Sequence, residues 1–297
     1  MSRVERVAVL VCTYRRPELL SRLLESLANQ ELDRPWDVVV VDNDPAASAR
    51  EVATQGPLSV RYVVEERPGI AAARNRALQE AGDVDTVVLV DDDETADPGW
   101  LAALVATCER EGADVVTGPV VSVLSPGAPR WFVRGGFTQR RNLPEGTRLR
   151  TAKSGNTLVR TAVLGEARFD ESFSRSGGSD SDLFWRLAAK GARIVWCHDA
   201  VVRETVPPER QNLRWVVRRD LRGGVVMGRI MMREQPRLLV LAKGLVRACV
   251  GLARVVLGTL VHLGPRASDV KVMLFGAGLA ASTLGWGVDE YGRGPRT

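Results

Sequence analysis

Residues 88–100 read VLVDDDETADPGW, an apolar run that ends in Asp91, Asp92 and Asp93, followed at once by Glu94. Four neighbouring carboxylates disfavour one another's ionised forms, so the cluster calls for a positive partner. If residues 91–93 stay extended, Asp91 and Asp93 project to one face and Asp92 to the other. Two converging carboxylates suit Mg²⁺ or Mn²⁺, ions that take one or two protein carboxylates and complete their shell with water and phosphate oxygens. The implied partner is a divalent cation carrying a nucleotide diphosphate. Helix capping competes for one acid, Asp97 before Pro98-Gly99-Trp100, but a cap needs one carboxylate and not four.

Such a cluster must be held by rigid elements. Nearly continuous apolar runs at 6–14, 36–44, 60–66, 86–93 and 114–123 predict strands covered on both faces. Between them lie helical patterns: PELLSRLLESLANQ, with Pro17 in the first turn and Leu20, Leu23, Leu24 and Leu27 on one face, then IAAARNRALQEAG and PGWLAALVATCEREG. This alternation predicts an α/β fold, a parallel doubly wound sheet with ligands at the strand C-terminal ends. Residues 124–150 lose periodicity and predict a long loop. Pattern returns in TAKSGNTLVRTAVL, in the helix SDSDLFWRLAAKG, in the strand RIVWCHDAVV and in an arginine-rich helix over 211–235.

The 297 residues are 45% apolar and 26% charged with a net charge of +5, which excludes a disordered chain and invites an anionic partner. Cys12, Cys108, Cys197 and Cys249 are scattered and there are two histidines, so neither a zinc cluster nor a disulfide framework is expected, and a reducing cytosolic setting fits. The N-terminal apolar run ends in Arg15-Arg16 and reads as a first strand, not a secretion signal. A dinucleotide oxidoreductase needs G-x-G-x-x-G after that strand; the turn here is CTYRRPE. A glycine-rich phosphate loop, as a nucleotidyltransferase would use, is missing from the same region.

The successive blocks VAVLVCTYRRPELLSRLLESL, VVVVDNDP, RPGIAAARNRAL, VLVDDDETADPGWL and GGSDSDLFWRLAAKGARIVWCHDAVV resemble, in order and spacing, a family 2 glycosyltransferase of the GT-A fold. The resemblance covers roughly residues 6–215 and implies an inverting enzyme using a nucleotide diphospho-sugar, UDP-linked. It implies that Thr13 and Tyr14 border the base, that Asp42 binds base or ribose, and that Arg74 and Asn75 hold the nucleotide. Asp92 counts with these nucleotide-side residues, while Asp91 and Asp93 form the D-x-D metal motif. Turn chemistry gives Asp42 in DNDP a competing role as a turn former, and Arg74 reads equally as a solvated helix charge.

Where the family shows Glu-Asp, this chain has Ser179-Asp180; Asp180 is the expected catalytic base, with Asp182 able to share the role and helix capping as the alternative use of Ser179 or Asp180. Where relatives place a metal-binding histidine, VVRETVP offers Glu204, and His198 reads as structural. The loss of that glutamate leaves an inactive nucleotide-binding scaffold as the rival reading. QNLRW at 211–215 fits the Q-x-x-R-W motif of membrane-linked polysaccharide-building transferases, implying that Trp215 stacks on an acceptor sugar and that Gln211 and Arg214 line the pyrophosphate. Trp131 and Asn156 are further acceptor-side residues, with loop anchoring and a turn as their alternatives.

These features divide the chain into a catalytic domain at 1–210 and a membrane-associated helical region at 211–297. RLLVLAKGLVRACVGLARVVLGTLVHLG sets Lys243, Arg247 and Arg254 on one face of an apolar segment, the pattern of a helix lying in a bilayer interface. Residues 272–288 are uncharged and at the short limit for spanning, so spanning, re-entry and packing are all open to them, and a pair of ordinary core helices is the alternative for both segments. The expected partners are a nucleotide-sugar donor, a lipid-linked saccharide or polysaccharide acceptor and the cytoplasmic surface of the cell membrane, with no nucleic acid.

Overall fold

The computed structural model describes residues 3–140, 142–174, 176–262 and 266–286. The first half alternates as expected: β1 (Val7–Thr13), α1 (Pro17–Ala28), β2 (Trp36–Asp42), α2 (Arg50–Gln55), β3 (Val60–Val64), α3 (Ile70–Glu80) and β4 (Thr86–Asp91). β1 pairs in parallel with both β2 and β4, and its C-terminal Cys12 lies beside Asp91. The leucines of α1 fill one side of this sheet with Val9, Val11, Val38 and Val40, while the alanines of α3 and Phe184 close the other. Both faces of the strands are therefore dry, which explains the unbroken valine runs.

Beyond β4 the sheet departs from the all-parallel expectation. β5 (Glu94–Ala96) and α4 (Trp100–Glu111) precede β6 (Val115–Thr117), β7 (Val120–Leu124), α5 (Arg130–Gly135) and β8 (Arg148–Leu149); then come β9 (Thr157–Arg160), α6 (Thr161–Leu164), α7 (Ser179–Ala189), β10 (Ile194–Trp196) and β11 (Val202–Val206). The large sheet has the order β3-β2-β1-β4-β9-β6-β10-β8, with β9 antiparallel to both neighbours, and a small sheet has the order β5-β11-β7. The expected strand 114–123 is two strands in two sheets, broken at Gly118-Pro119. Proline removes a ladder donor, and a side chain at Gly118 would stand 2.2 Å from the Ala200 carbonyl oxygen. The RIVWCHDAVV run breaks likewise into β10 and β11, and a turn at 92–93 parts β4 from β5. Three strands of the large sheet thus pass through short connectors into the small one.

α8 (Leu213–Met231), α9 (Arg237–His262) and α10 (Ala267–Ser282) form the C-terminal helical layer. Val226 and Ile230 of α8 join it to Phe173 and Trp185 of the α/β part. α10 is wedged between α8 and α9 through glycines: a side chain at Gly278 would meet the Leu221 carbonyl oxygen at 2.0 Å, and one at Gly251 the Met273 backbone nitrogen at 2.3 Å. Residues 272–288 are therefore not a free segment. α10 has 16 residues, roughly 24 Å at 1.5 Å per residue, shorter than a bilayer core, and ends in a turn at Thr283–Gly285; residues 287 and 288 lie outside the described part. Among the described residues, α9 is the one helix long and apolar enough to cross a membrane, over Arg237–Val261, 25 residues whose most apolar stretch is 11% buried. Lys243, Arg247 and Arg254 are all exposed on it, with Arg247 lying over the Phe275 ring of α10 at 4.5 Å and Lys243 donating to Gln235.

Candidate active site

The strand ends bring the carboxylates together, with a geometry different from the extended one. β4 stops at Asp91, and residues 92 and 93 form a turn, so their side chains do not alternate as they would in a strand. Asp91 Oδ1 accepts from Arg74 Nη2 at 3.0 Å. Asp92 is buried and accepts from the Thr13 hydroxyl at 2.8 Å and from Arg16 at 3.2 Å. Burial pushes the Asp92 carboxyl up despite the Arg16 charge. Asp93 lies 3.4 Å from the same Arg16 and 3.5 Å from Arg210. Burial and then the charges of Asp91, Asp92 and Glu204 push its pKa up to about 7, against the pull of Arg210.

Glu94 stands beside them, 1% exposed, accepting the Asp91 N–H at 3.1 Å. Burial and the Asp91 charge drive its carboxyl well above the usual range. Register places Glu94 of β5 opposite Glu204 of β11, and Glu204 in turn accepts from Arg140 at 2.8 Å. Gly155 keeps this corner open: a Cβ there would lie 2.7 Å from Glu94 Oε1 and 3.0 Å from Asp91 Oδ2.

Asp180 occupies the first turn of α7, entered through the left-handed Gly178. No side chain caps this helix, so the capping use of Ser179 or Asp180 is not the one adopted. Asp180 Oδ1 accepts the Ser181 N–H at 2.7 Å, and the Lys153 ammonium sits 3.9 Å from Oδ2 while donating to Ser181 Oγ at 2.8 Å. Burial alone would raise the Asp180 carboxyl; the charges of Lys153 and Arg74, with the N–H groups of Ser181 and Ser154, bring it below its ordinary value. An ionised carboxylate held this way can accept a proton at neutral pH. Arg74 thus joins Asp91 to Asp180 in one electrostatic unit. Asp182 instead is fully buried and held by Arg186 at 2.9 Å and Arg233 at 2.8 Å, away from any proton-accepting task.

Several expected ligand residues serve the chain itself. Asn156 is fully buried at φ 67°; its amide donates to the Pro119 and Ala200 carbonyls and accepts from the Trp100 indole at 2.7 Å, so it cannot meet an acceptor. Asn75 exchanges hydrogen bonds with both backbone groups of Phe169, at 2.8 and 2.9 Å, and is spent there instead of on a nucleotide. Gln211 is buried between Ser125 and the Val206 carbonyl, which removes it from a pyrophosphate. Asp42 receives the Asp44 and Ala49 N–H groups and the Tyr62 hydroxyl, and none of its surface reaches solvent, so as placed it shapes the loop. Tyr14 is exposed at the end of β1, Arg214 is exposed, and Trp215 lies under the Arg219 guanidinium at 5.0 Å. Trp131 is exposed on α5. His198 is exposed, with its ring 3.4 Å from the Leu143 carbonyl oxygen.

Residues given no role in the sequence reading complete the cluster: Arg16, Arg140, Arg210 and Lys153, beside the fourth carboxylate, Glu94. Arg16 carried a signal, since YRRP follows the first strand directly. Among the described residues no three Asp, Glu, His or Cys side chains close around one point. The donors are nevertheless hard oxygens, and Asp93, raised first by burial and then by its acidic neighbours, stands among Asp91, Asp92 and Glu204. That set fits in kind an ion that takes two carboxylates and draws its other ligands from a diphosphate.

The family model of glycosyl transferase family 2 matches residues 8–167. The succinoglycan biosynthesis protein ExoM of Rhizobium meliloti is 36% identical over 232 residues, covering 75% of this chain and 74% of that protein. The galactofuranosyltransferase GlfT1 of Mycolicibacterium smegmatis is 29% identical over 70% of this chain and 68% of its own length. S. aureus TarS 1-349, solved in complex with UDP, superposes with a TM-score of 0.55 at 19% identity, over 94% of this chain and 91% of that one. With the family match spanning more than half of the sequence and a relative aligned along about three quarters of both proteins, this chain is a member of glycosyl transferase family 2, built on a GT-A fold.

Proposed function

We propose that the chain moves a sugar, with inversion, from a UDP-sugar to a hydroxyl of a lipid-linked or polysaccharide acceptor at the cytoplasmic face of a membrane. Support for the donor comes from TarS, solved with UDP, and for a saccharide product from ExoM and GlfT1 by their names. The observation that carries the reading is the coupling of an ionised Asp180 to Asp91 through Arg74, which sets a base beside the carboxylates at the strand ends.

In this reading the acceptor oxygen attacks the anomeric carbon, the bond from that carbon to the diphosphate oxygen breaks, and the acceptor proton passes to Asp180. Thr13 and Tyr14 border the nucleoside, and Asp42 sets the loop behind it. Arg74, Arg16 and Arg210 can turn from their aspartate partners toward the departing diphosphate, where positive charge counts most as negative charge develops. Mn²⁺ or Mg²⁺, held by Asp91 and Asp93 with Glu204 beside them, would neutralise the leaving diphosphate when bound. Trp215 and Arg214, at the start of α8, face the acceptor side. α9 seats its apolar surface in the bilayer, bringing the site to acceptors in the membrane plane.

Transfer from a panel of UDP-sugars with Mn²⁺, repeated in excess EDTA, tests the reading. Turnover should appear with one donor, vanish on chelation and be lost in Asp180→Asn. Nucleotide binding without any turnover would favour the scaffold reading, and turnover undiminished by EDTA would remove the metal from it.

A further inference from the structure

We propose that α5 is a second foothold on an anionic lipid surface, formed by Trp131 and Val133 between Arg130 and Arg134. The inference rests on the reading of α9 as membrane-seated and adds a contact on a different part of the chain.

Trp131 is 44% and Val133 51% exposed, while Phe132 between them is fully buried and roots the segment. The Trp131 ring is not loose. It meets Phe132 and Phe137 edge-on, at centroid distances of 5.5 and 5.4 Å, which holds the indole outward. Ser122 Oγ of β7 donates to the Thr138 carbonyl at 3.2 Å, which fastens the segment to the small sheet. An outward apolar patch of this kind marks a contact surface.

Charge selects the occupant. Residues 115–144 contain four arginines and no aspartate or glutamate. Arg130 and Arg134 flank the exposed ring and are themselves exposed. A sugar platform would set acidic or amide groups around the indole to take hydroxyl hydrogens; here the ring meets Phe132 and Phe137 and is flanked along the chain by Arg130 and Arg134. Indole beside guanidinium suits the headgroup zone of an anionic bilayer, where each nearby basic residue adds attraction.

Position agrees. Lys271 of α10 donates to the Gly136 carbonyl at 3.2 Å and lies 6.0 Å over the Phe137 ring, and Arg219 of α8 donates to the Phe137 carbonyl at 3.2 Å. Lys271 is near the start of α10, the end that packs on the C-terminal half of α9, where Gly251 meets Met273 and Gly258 approaches Asp269. That half of α9 carries the exposed Leu252, Leu257 and Leu260. Two footholds fix rotation about α9 as well as distance. The α5 segment then runs on to Arg140, bonded to Glu204 in the site.

The test uses the full chain on phosphatidylcholine vesicles with and without phosphatidylglycerol, some with brominated acyl chains that quench nearby indoles. Trp131→Phe should remove a distinct share of the quenching, and Trp131→Ala with Val133→Ser should weaken partition to the anionic vesicles about tenfold, with less effect on neutral ones. An α9 variant, Leu252→Glu with Leu257→Glu, reports on the underlying reading. If the wild type binds no vesicles, both readings fall. If the α9 variant loses binding while Trp131→Phe leaves quenching unchanged, the α5 foothold alone falls. It falls too if Trp131→Ala raises KM for a soluble saccharide acceptor with vesicle partition intact, which would make Trp131 a sugar platform.

Discussion

Asp180 and Asp93 are both largely buried carboxylates, yet their surroundings drive them apart. Lys153 and Arg74 keep Asp180 ionised, whereas Asp93 faces Asp91, Asp92 and Glu204. Asp180→Asn should lower kcat by about 10²–10⁴, the usual worth of a positioned base, with UDP affinity unchanged by calorimetry. Lys153→Met should move the acidic limb of the kcat/KM profile upward, because that limb is lost as pH falls through the Asp180 pKa, and Lys153→Arg should restore it. For Asp93 the sign is opposite. Between an unfolded pKa near 3.8 and a folded value of about 7 the native state holds the extra proton, so stability falls as pH rises through that window. Denaturant melts in EDTA at pH 5 and pH 8 should show Asp93→Asn abolishing a part of that fall worth a few kcal/mol.

At the scale of elements, close helix approach is the vulnerable feature. Gly278→Val places a side chain against the Leu221 carbonyl and should cost about 1–3 kcal/mol or more, seen as a Tm lowered by several degrees. The α/β alternation was legible in the sequence because strands dry on both faces need unbroken valine runs, and α1 needs its leucine stripe. The breaks at Gly118-Pro119 and after Asp91 were not, since hydrophobic pattern cannot mark where a strand changes partners or sheets. In the carboxylate cluster, residue types were legible but partners were not. Asn75, Asn156 and Gln211 look like ligand residues in a motif, while only the fold reveals the carbonyls that occupy their amides. Arg140 and Arg210 were hidden for another reason: among 41 basic residues, neither stands out until a carboxylate is beside it.

The whole molecule is electrically lopsided. Residues 211–286 hold twelve Lys and Arg against three Asp and Glu, so the helical layer is the basic end. Vesicle binding should therefore weaken more than tenfold between 0.1 and 1 M salt, as the screening length falls from about 10 to about 3 Å, while a salt-resistant remainder reports the apolar surface of α9. The Asn156 amide has a consequence for how the enzyme can move. It clips together the Gly118-Pro119 and Ala200 connectors, two of the three crossings between the sheets, and pins both to the Trp100 indole. The junction is welded, not jointed. Admission of a donor and release of product must then fall to swinging guanidinium arms, and amide exchange should be slow across the connectors even while turnover proceeds.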